Sequence, residues 1–295
     1  MRGVNLDHLR TFADVAELGS FSAAAERQGV TQPAVSLQIR QLEQRLGVRL
    51  LERSGKRSSP TAAGLVLLEH ARRIEAAVGG ALDALAEHAT GVAGRVRLGT
   101  GATACTYLLP QLLRALKGRY PSLEIVVSTG NTAEMLRQLE ENRLDVAFAT
   151  LPIPGRGFAV TPVLDDEFKA IFPSDQEAVP DTVTPQQLVG RPVVLFEPGA
   201  NTRRIVDDWA ARHGLTIRPI MQLGSVEAIK EIVAAGLGCG VLPGMALRRD
   251  RIAPGLIVRP LDPPLVRKLA VVLRPDKTLT RGLRAVVDAL QDLGK

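Results

Sequence analysis

Three groups of residues in this chain have the types and spacing to do chemistry. The first lies in VTQPAVSLQIRQLEQRLG, where Thr31, Gln32, Pro33, Ser36, Gln38 and Arg40 offer amide, hydroxyl and guanidinium groups along one segment. Glutamine can pair two hydrogen bonds with adenine, serine reaches a base or a phosphate, and proline packs on a thymine methyl, so the set suits base reading in the DNA major groove. The second group is basic. From Arg40 to Arg57, six basic residues (Arg40, Arg45, Arg49, Arg53, Lys56 and Arg57) stand against two acidic ones, Glu43 and Glu52. Contacts to a phosphate backbone need such a local excess, and Arg53, Lys56 and Arg57 are the expected ones. The third group is small and hydroxylic: Thr100 to Thr103, Ser128 to Asn131, Gly199 to Thr202, and Gly224 with Ser225, each just ahead of a helical stretch. Singly these are ordinary caps and turn residues. Together they gather hydroxyls and helix-start N–H groups that favour a small anion.

These groups need elements to hold them. Asn5 to Leu18 carries Leu6, Leu9, Phe12, Val15 and Ala16 on one face and reads as a supporting helix. Ser20 or Ser22 caps a second helix built on Ala23, Ala24 and Ala25 and stopped by Gly29. Thr31 is the next N-cap, Pro33 sits in the first turn, Val35, Ile39, Leu42 and Leu46 recur at helical spacing, and Gly47 ends the run. Two helices crossing at a glycine turn, the second presenting polar residues from its N-terminal end, form a helix-turn-helix. VRLLERSGKRSSP then reads as a two-stranded wing turning at Ser54-Gly55, beside the DNA backbone.

Thr61 caps a helix that runs to about His88, spanning some 40 Å at about 1.5 Å per residue. Its seam of Leu65, Leu68, Ile74, Val78, Leu82 and Leu85 would face water unless a second copy covered it, so Leu65, Leu68, Ile74 and Val78 are expected to hold a dimer. Thr90 to Gly94 reads as a hinge. From Arg95 the pattern is strand RVRLGT, a helix from about Tyr107 to Tyr120, strand LEIVVS, helix Thr132 to Glu141 and strand LDVAFAT. After Phe158 it repeats as PVVLFE, helix Thr202 to His213, RPIMQL, helix Ser225 to Ala235 and CGVLP, before RKLAVVLRP and a helix from Leu279 to Leu293. Alternation of this kind predicts a parallel α/β sheet. The expected fold class is α/β with an N-terminal all-α winged helix-turn-helix.

With LDHLRTFADVAELGSFSAAAERQGVTQPAVSLQIRQLEQRLGVRLLER, a turn and PTAAG, the chain resembles the LysR-type transcriptional regulators, and the order of later elements extends the resemblance over nearly all of it. The resemblance implies a winged helix-turn-helix over 1–60, a linker and dimerisation helix over 61–90, and a sensor over 91–295 that is periplasmic-binding-protein-like. The sensor's subdomain I would cover about 95–164 plus 266–295, the last helix returning to it, and subdomain II about 165–265. It further implies a small-molecule effector between the subdomains, at Thr100, Ala102, Thr103, Thr129, Asn131, Thr202 and Ser225. Implied partners are double-stranded promoter DNA, further copies of the chain as dimer and tetramer, and RNA polymerase. Leu37 departs from the pattern, since many relatives have arginine there.

Composition bounds the alternatives. The 295 residues suit two or three domains, 45% hydrophobic content supplies buried cores, and a net charge of +6 is compatible with a polyanionic partner. No apolar run approaches the roughly 20 residues of a membrane span. MRGVNLDHLRTF has polar groups where a signal peptide needs an apolar core, which points to the cytoplasm. Cys105 and Cys239 form neither a metal pair nor a disulfide framework. His8, His70, His88 and His213 are scattered, and no GxSxG, HExxH, P-loop or paired zinc ligands occur, so no catalytic residue, metal or cofactor is expected. The stretch Gly236 to Gly240 leads from helix to strand, the reverse of a phosphate loop. A solute-binding protein would account for the C-terminal two-thirds but not for the basic N-terminal motif.

Overall fold

A computed structural model of the chain describes residues 4–54, 57–90, 94–155, 157–247 and 255–294, and it separates into two compact units. One comprises Met1–Ala89 with Glu140–Arg143, the other the remaining residues from Thr90.

The N-terminal unit is built by its caps. Helix α1 (Leu6–Leu18) starts where Asn5 accepts the N–H of Asp7 and stops at Gly19 in the left-handed region; α2 (Phe21–Gln28) is capped by Ser20 and ends at Gly29. In α3 (Gln32–Leu46) the expected cap Thr31 stands at the N-cap without a side-chain hydrogen bond, while the proline in the first turn sets the backbone. Apolar contacts among Val15, Ala24, Ala25 and Val35 hold the three helices together. A buried polar knot fixes their angle. The fully buried Thr11 hydroxyl lies 2.9 Å from the Gln28 amide oxygen and 2.5 Å from that of Gln38, and Gln28 donates to Asp14 at 2.6 Å. Strands β1 (Leu51–Ser54) and β2 (Arg57–Pro60) pair antiparallel as the wing, which the Ser58 N–H ties to the Gly19 carbonyl. Thr61 then caps α4 (Ala62–Thr90), accepting the N–H of Gly64.

One expectation for α4 is corrected. Leu68, placed in the seam between copies, is buried in the unit's own core with Leu9, Phe12 and Ala71. Leu65 and Ile74 are both exposed, but nine residues at about 100° each put them on opposite sides of the helix, so the four residues do not form one stripe. Ile74 and Val78 instead line a groove against α1 with Leu6, Leu9, Arg10, Ala71 and Glu75. The hinge residues 91–93 and the side chains of Leu82 and Leu85 lie outside the described residues.

The C-terminal unit is one sheet serving two subdomains. In chain order its elements are β3 (Gly94–Thr100), α5 (Ala102–Tyr107), α6 (Leu109–Arg119), β4 (Leu123–Thr129), α7 (Thr132–Glu140), β5 (Val146–Thr150), β6 (Ala159–Pro173), α8 (Pro185–Leu188) and β7 (Val193–Phe196). They continue with α9 (Asn201–Ala211), β8 (Met221–Leu223), α10 (Val226–Ala234), β9 (Cys239–Pro243), β10 (Leu256–Pro260), β11 (Val266–Leu273) and α11 (Arg281–Gln291). The strand order is β4-β3-β5-β11-β6-β9-β7-β8, with β10 on β6. The sheet is mixed rather than parallel as expected: β11 runs antiparallel to β5 and β6, and β6 antiparallel to β9 and β10. Helix formation also begins at Ala102, not near Tyr107, because Gly101 directly ends β3 and Pro110 starts a separate helix. In the glycine stretch, Gly238 at φ +133° lies so close to the Pro192 carbonyl that no side chain fits. That stretch is a tight entry into β9.

The long strand β6 changes partner midway. Residues up to Glu167 pair with β11, and those from Phe168 pair with β9 and β10. The Phe168 N–H donates to the Leu265 carbonyl at 2.7 Å, so the chain crosses between subdomains there and returns at Leu265. Subdomain I is pinned by Asp145, whose carboxylate takes the Arg97 N–H and guanidinium at 2.7, 3.0 and 2.8 Å and Lys277 at 2.6 Å. Burial pushes this carboxyl up, but the Arg97 hydrogen bonds and the Lys277 charge outweigh that and hold it below its ordinary value of 3.8. A depressed folded pKa contributes stability above the unfolded value that is lost as pH falls through the folded one. Asp145→Asn should therefore melt well below wild type at neutral pH, and the gap should close as pH is lowered below 3.8. Calorimetry across that range checks it.

Candidate DNA-reading surface and effector cleft

The outward face of α3 is set by what the other faces bury. Val35, Ile39 and Leu42 turn into the core, leaving Gln32, Pro33, Leu37, Arg40 and Gln41 exposed, with Ser36 half-buried. Gln32 donates to Ser36 Oγ at 2.7 Å, one turn along the helix, so both hold their polar ends ready at its N-terminal half. Gln38 is the exception among the expected readers. Its amide oxygen is engaged by Thr11 in the polar knot, which makes it a packing residue. Thr31 is exposed beside the first turn, and Arg57 is exposed on the wing. Lys56 and the side chain of Arg53 lie outside the described residues; the Arg53 backbone pairs with Ser58.

In the second unit, α5, α7, α9 and α10 all start just beyond the ends of β3, β4, β7 and β8. Thr100 departs from its expected role. It is fully buried and donates its hydroxyl to the Phe148 carbonyl at 2.9 Å, tying β3 to β5 rather than facing a ligand. Ala102, Thr129, Asn131 and Ser225 are exposed and Thr103 is half-buried, but Asn131 caps Glu134 and Ser225 caps Ala228. Thr202 is buried and accepts from Arg267 at 3.4 Å.

What joins the two halves is a set of residues not singled out from the sequence. Arg267, on β11 beside the crossover, is 5% exposed and pairs at 2.9 Å with Asp166 on β6, whose other oxygen accepts the Met245 N–H at 2.8 Å. Burial pulls the guanidinium pKa down, and Asp166 opposes this. A signal did exist: Arg267 is in phase with Leu269 and Val271 along a strand of period two. Across the subdomains, Lys230 on α10 reaches the Tyr107 hydroxyl on α5 at 3.4 Å and the Glu227 carboxylate at 3.2 and 3.3 Å.

Residues 6–65 match the family model described as a bacterial regulatory helix-turn-helix protein of the lysR family, and residues 89–295 match the LysR substrate binding domain. The chain belongs to the LysR family. This LysR-type regulator is similar to a hydrogen peroxide-inducible genes activator of Dickeya chrysanthemi, 30% identical over 98% of the chain and 95% of that protein. It is 32% identical to the transcriptional regulator CbbR of Rhodospirillum rubrum, over 97% and 96%. Its fold superposes on a full-length OxyR variant from Pseudomonas aeruginosa with a TM-score of 0.75, at 26% identity and 98% coverage of both chains. The protein is thus a DNA-binding transcriptional regulator with a small-molecule effector domain. Among the described residues, no helix is long and apolar enough to cross a membrane.

Proposed function

We propose that this regulator reads its operator through Gln32, Pro33, Ser36, Leu37 and Arg40, grips the phosphates with the wing, and binds as a pair of copies joined along α4. The observation that carries this reading is the exposed Gln32–Ser36 pair at the N-terminal end of α3, on a helix whose other side is locked into the core. Arg40 supplies charge on the same face, and Leu37, 52% exposed, offers an apolar surface to a thymine methyl. Operators selected from random duplexes provide the test. Gln32→Ala should cost about 1–3 kcal/mol at one base-pair position and relax preference there. Arg57→Ala should weaken all duplexes alike and reduce the salt slope by about one. Equal weakening of operator and random DNA by Gln32→Ala would remove it from base reading.

In this reading the effector is a small anion bound non-covalently between the subdomains, at a rim of Ala102, Thr103, Thr129, Asn131, Thr202 and Ser225 that gathers hydroxyl and amide groups at helix starts. Two relatives carry the name hydrogen peroxide-inducible genes activator, so a thiol sensor is the competing mechanism. Peroxide attack needs a thiolate. Burial pushes the Cys239 thiol up to about 11, against a smaller opposing pull from Arg191, and the residue is enclosed in β9. Cys105 is half-buried on α5. Regulation by ligand-biased closure, without catalysis, is the function that these residues support best. Operator binding by Cys105→Ser and Cys239→Ser variants that responds to peroxide as wild type does, or not at all in either, is the expected result.

A further inference from the structure

The polar knot between α1, α2 and α3 asks for two protons where one exists. The Thr11 hydroxyl is fully buried, 2.9 Å from the Gln28 amide oxygen and 2.5 Å from that of Gln38. A hydroxyl donates once and otherwise accepts, so two amide oxygens facing it would set one pair of oxygens against each other out of water. One of the two amides must turn its nitrogen to Thr11.

Asp14 decides which. Its carboxylate accepts the Arg27 guanidinium at 2.9 Å on one oxygen and the Gln28 amide nitrogen at 2.6 Å on the other. Turning Gln28 over would press its amide oxygen against that carboxylate, so Gln28 keeps its oxygen toward Thr11 and takes the hydroxyl proton. Gln38 then bonds in one way, nitrogen toward Thr11 and donating to the hydroxyl oxygen. That half-turn exchanges two atoms of nearly equal size and disturbs no packing.

The direction matters because of where Gln38 stands. At about 100° per residue it lies roughly opposite Ser36 and Arg40 on α3. Val35, Ile39 and Leu42 hold the same helix by apolar burial, which has no direction of its own. A hydrogen bond with fixed donor and acceptor supplies the missing constraint on rotation about the helix axis.

We propose that Gln38 is a positioning residue for operator reading: a one-way chain of donors, from Gln38 to Thr11 to Gln28 to Asp14, sets the rotation of α3 and with it the aim of Gln32, Ser36 and Arg40. This rests on α3 being the reading helix.

The full-length protein is tested by the ratio of its affinities for a selected operator and for random duplex. Gln38→Met lacks the donor, and Gln38→Glu offers only acceptors at neutral pH, so each should lower the ratio by about tenfold or more. Relative to wild type, the Gln38→Glu loss should shrink as pH falls toward the ordinary glutamate value of about 4.3, because the protonated acid can donate again. The Gln38→Met loss should stay. A normal ratio in Gln38→Glu at neutral pH, beside a lowered one in Gln38→Met, overturns the chain's direction, since a carboxylate would accept the Thr11 proton well. Neutron diffraction from wild-type crystals needs no variant: a deuteron on Gln38 Nε2 aimed at Thr11 Oγ1 is expected, and one on Thr11 aimed at Gln38 overturns the chain. Wild-type ratios in both Gln38 variants, while Gln32→Ala relaxes base preference, overturn the positioning role and leave α3 as the reader. If Gln32→Ala has no effect either, the reading by α3 falls and the proposal with it.

Discussion

Ile74→Glu should split the pair of copies and lower operator affinity by about 10²- to 10⁴-fold, the gain that linking two binding modules ordinarily supplies. Ile74 is 39% exposed on the groove between α1 and α4, so the substitution leaves the core of Leu9, Phe12, Leu68 and Ala71 intact. In a dimer that covers the groove, the same carboxylate would be desolvated among Leu6 and Val78 without a partner. Each half-site would then be gripped alone. Sedimentation paired with operator titration reads both effects, and a stable dimer of full affinity would place the interface elsewhere. Leu68→Glu is the informative contrast: it should unfold the N-terminal unit, because Leu68 is an internal residue there.

The second large effect is expected at the crossover. Asp166→Ala leaves Arg267 buried with its charge uncompensated and strips the Met245 N–H of its acceptor, which should cost about 3–5 kcal/mol. For a unit of this size, that corresponds to a fall in melting temperature of roughly 10 °C. Exchanging both partners for apolar residues, Asp166→Leu with Arg267→Met, should recover much of the loss, since it removes the stranded charge along with its partner. Recovery of stability without recovery of effector response would separate the pair's packing role from its contact with Thr202. If Asp166→Ala melts as wild type does, the guanidinium has found water and the crossover is looser than its geometry.

The N-terminal unit was legible because its signals are local. Asn5, Ser20, Gly29, Pro33 and Gly47 each act on neighbours within a turn, and they fall where the helices begin and end. The sheet was legible in its strands but not in their directions. In β6, Pro162 and the run Asp165, Asp166 and Glu167 hide the strand, whose pairing comes from residues about a hundred positions away and includes a register shift opposite Leu269 and Ala270. The strand ends that frame the proposed effector site were half legible. The starts of α7, α9 and α10 fall within a residue of expectation, but α5 begins five residues early, Thr100 turns inward, and a lysine in VEAIKEIVA carries no local mark that its ammonium is buried. Gln38 failed for the same reason, its partner Thr11 being 27 residues earlier.

The exchange of partners along β6 also makes the second subdomain a cassette. Residues 168–265 leave and re-enter the first subdomain at two positions already side by side, Glu167 opposite Val266, with Phe168 hydrogen-bonded to Leu265. An insert whose ends meet in this way can be cut out and the gap closed by a two-residue reverse turn, since adjacent antiparallel strands need no longer connection. The host would keep its strands β3, β4, β5 and β11, and the excised piece could be rejoined end to end as a permuted module. Gene fusion could thus exchange one half of the sensor while the half that follows the linker stays unaltered.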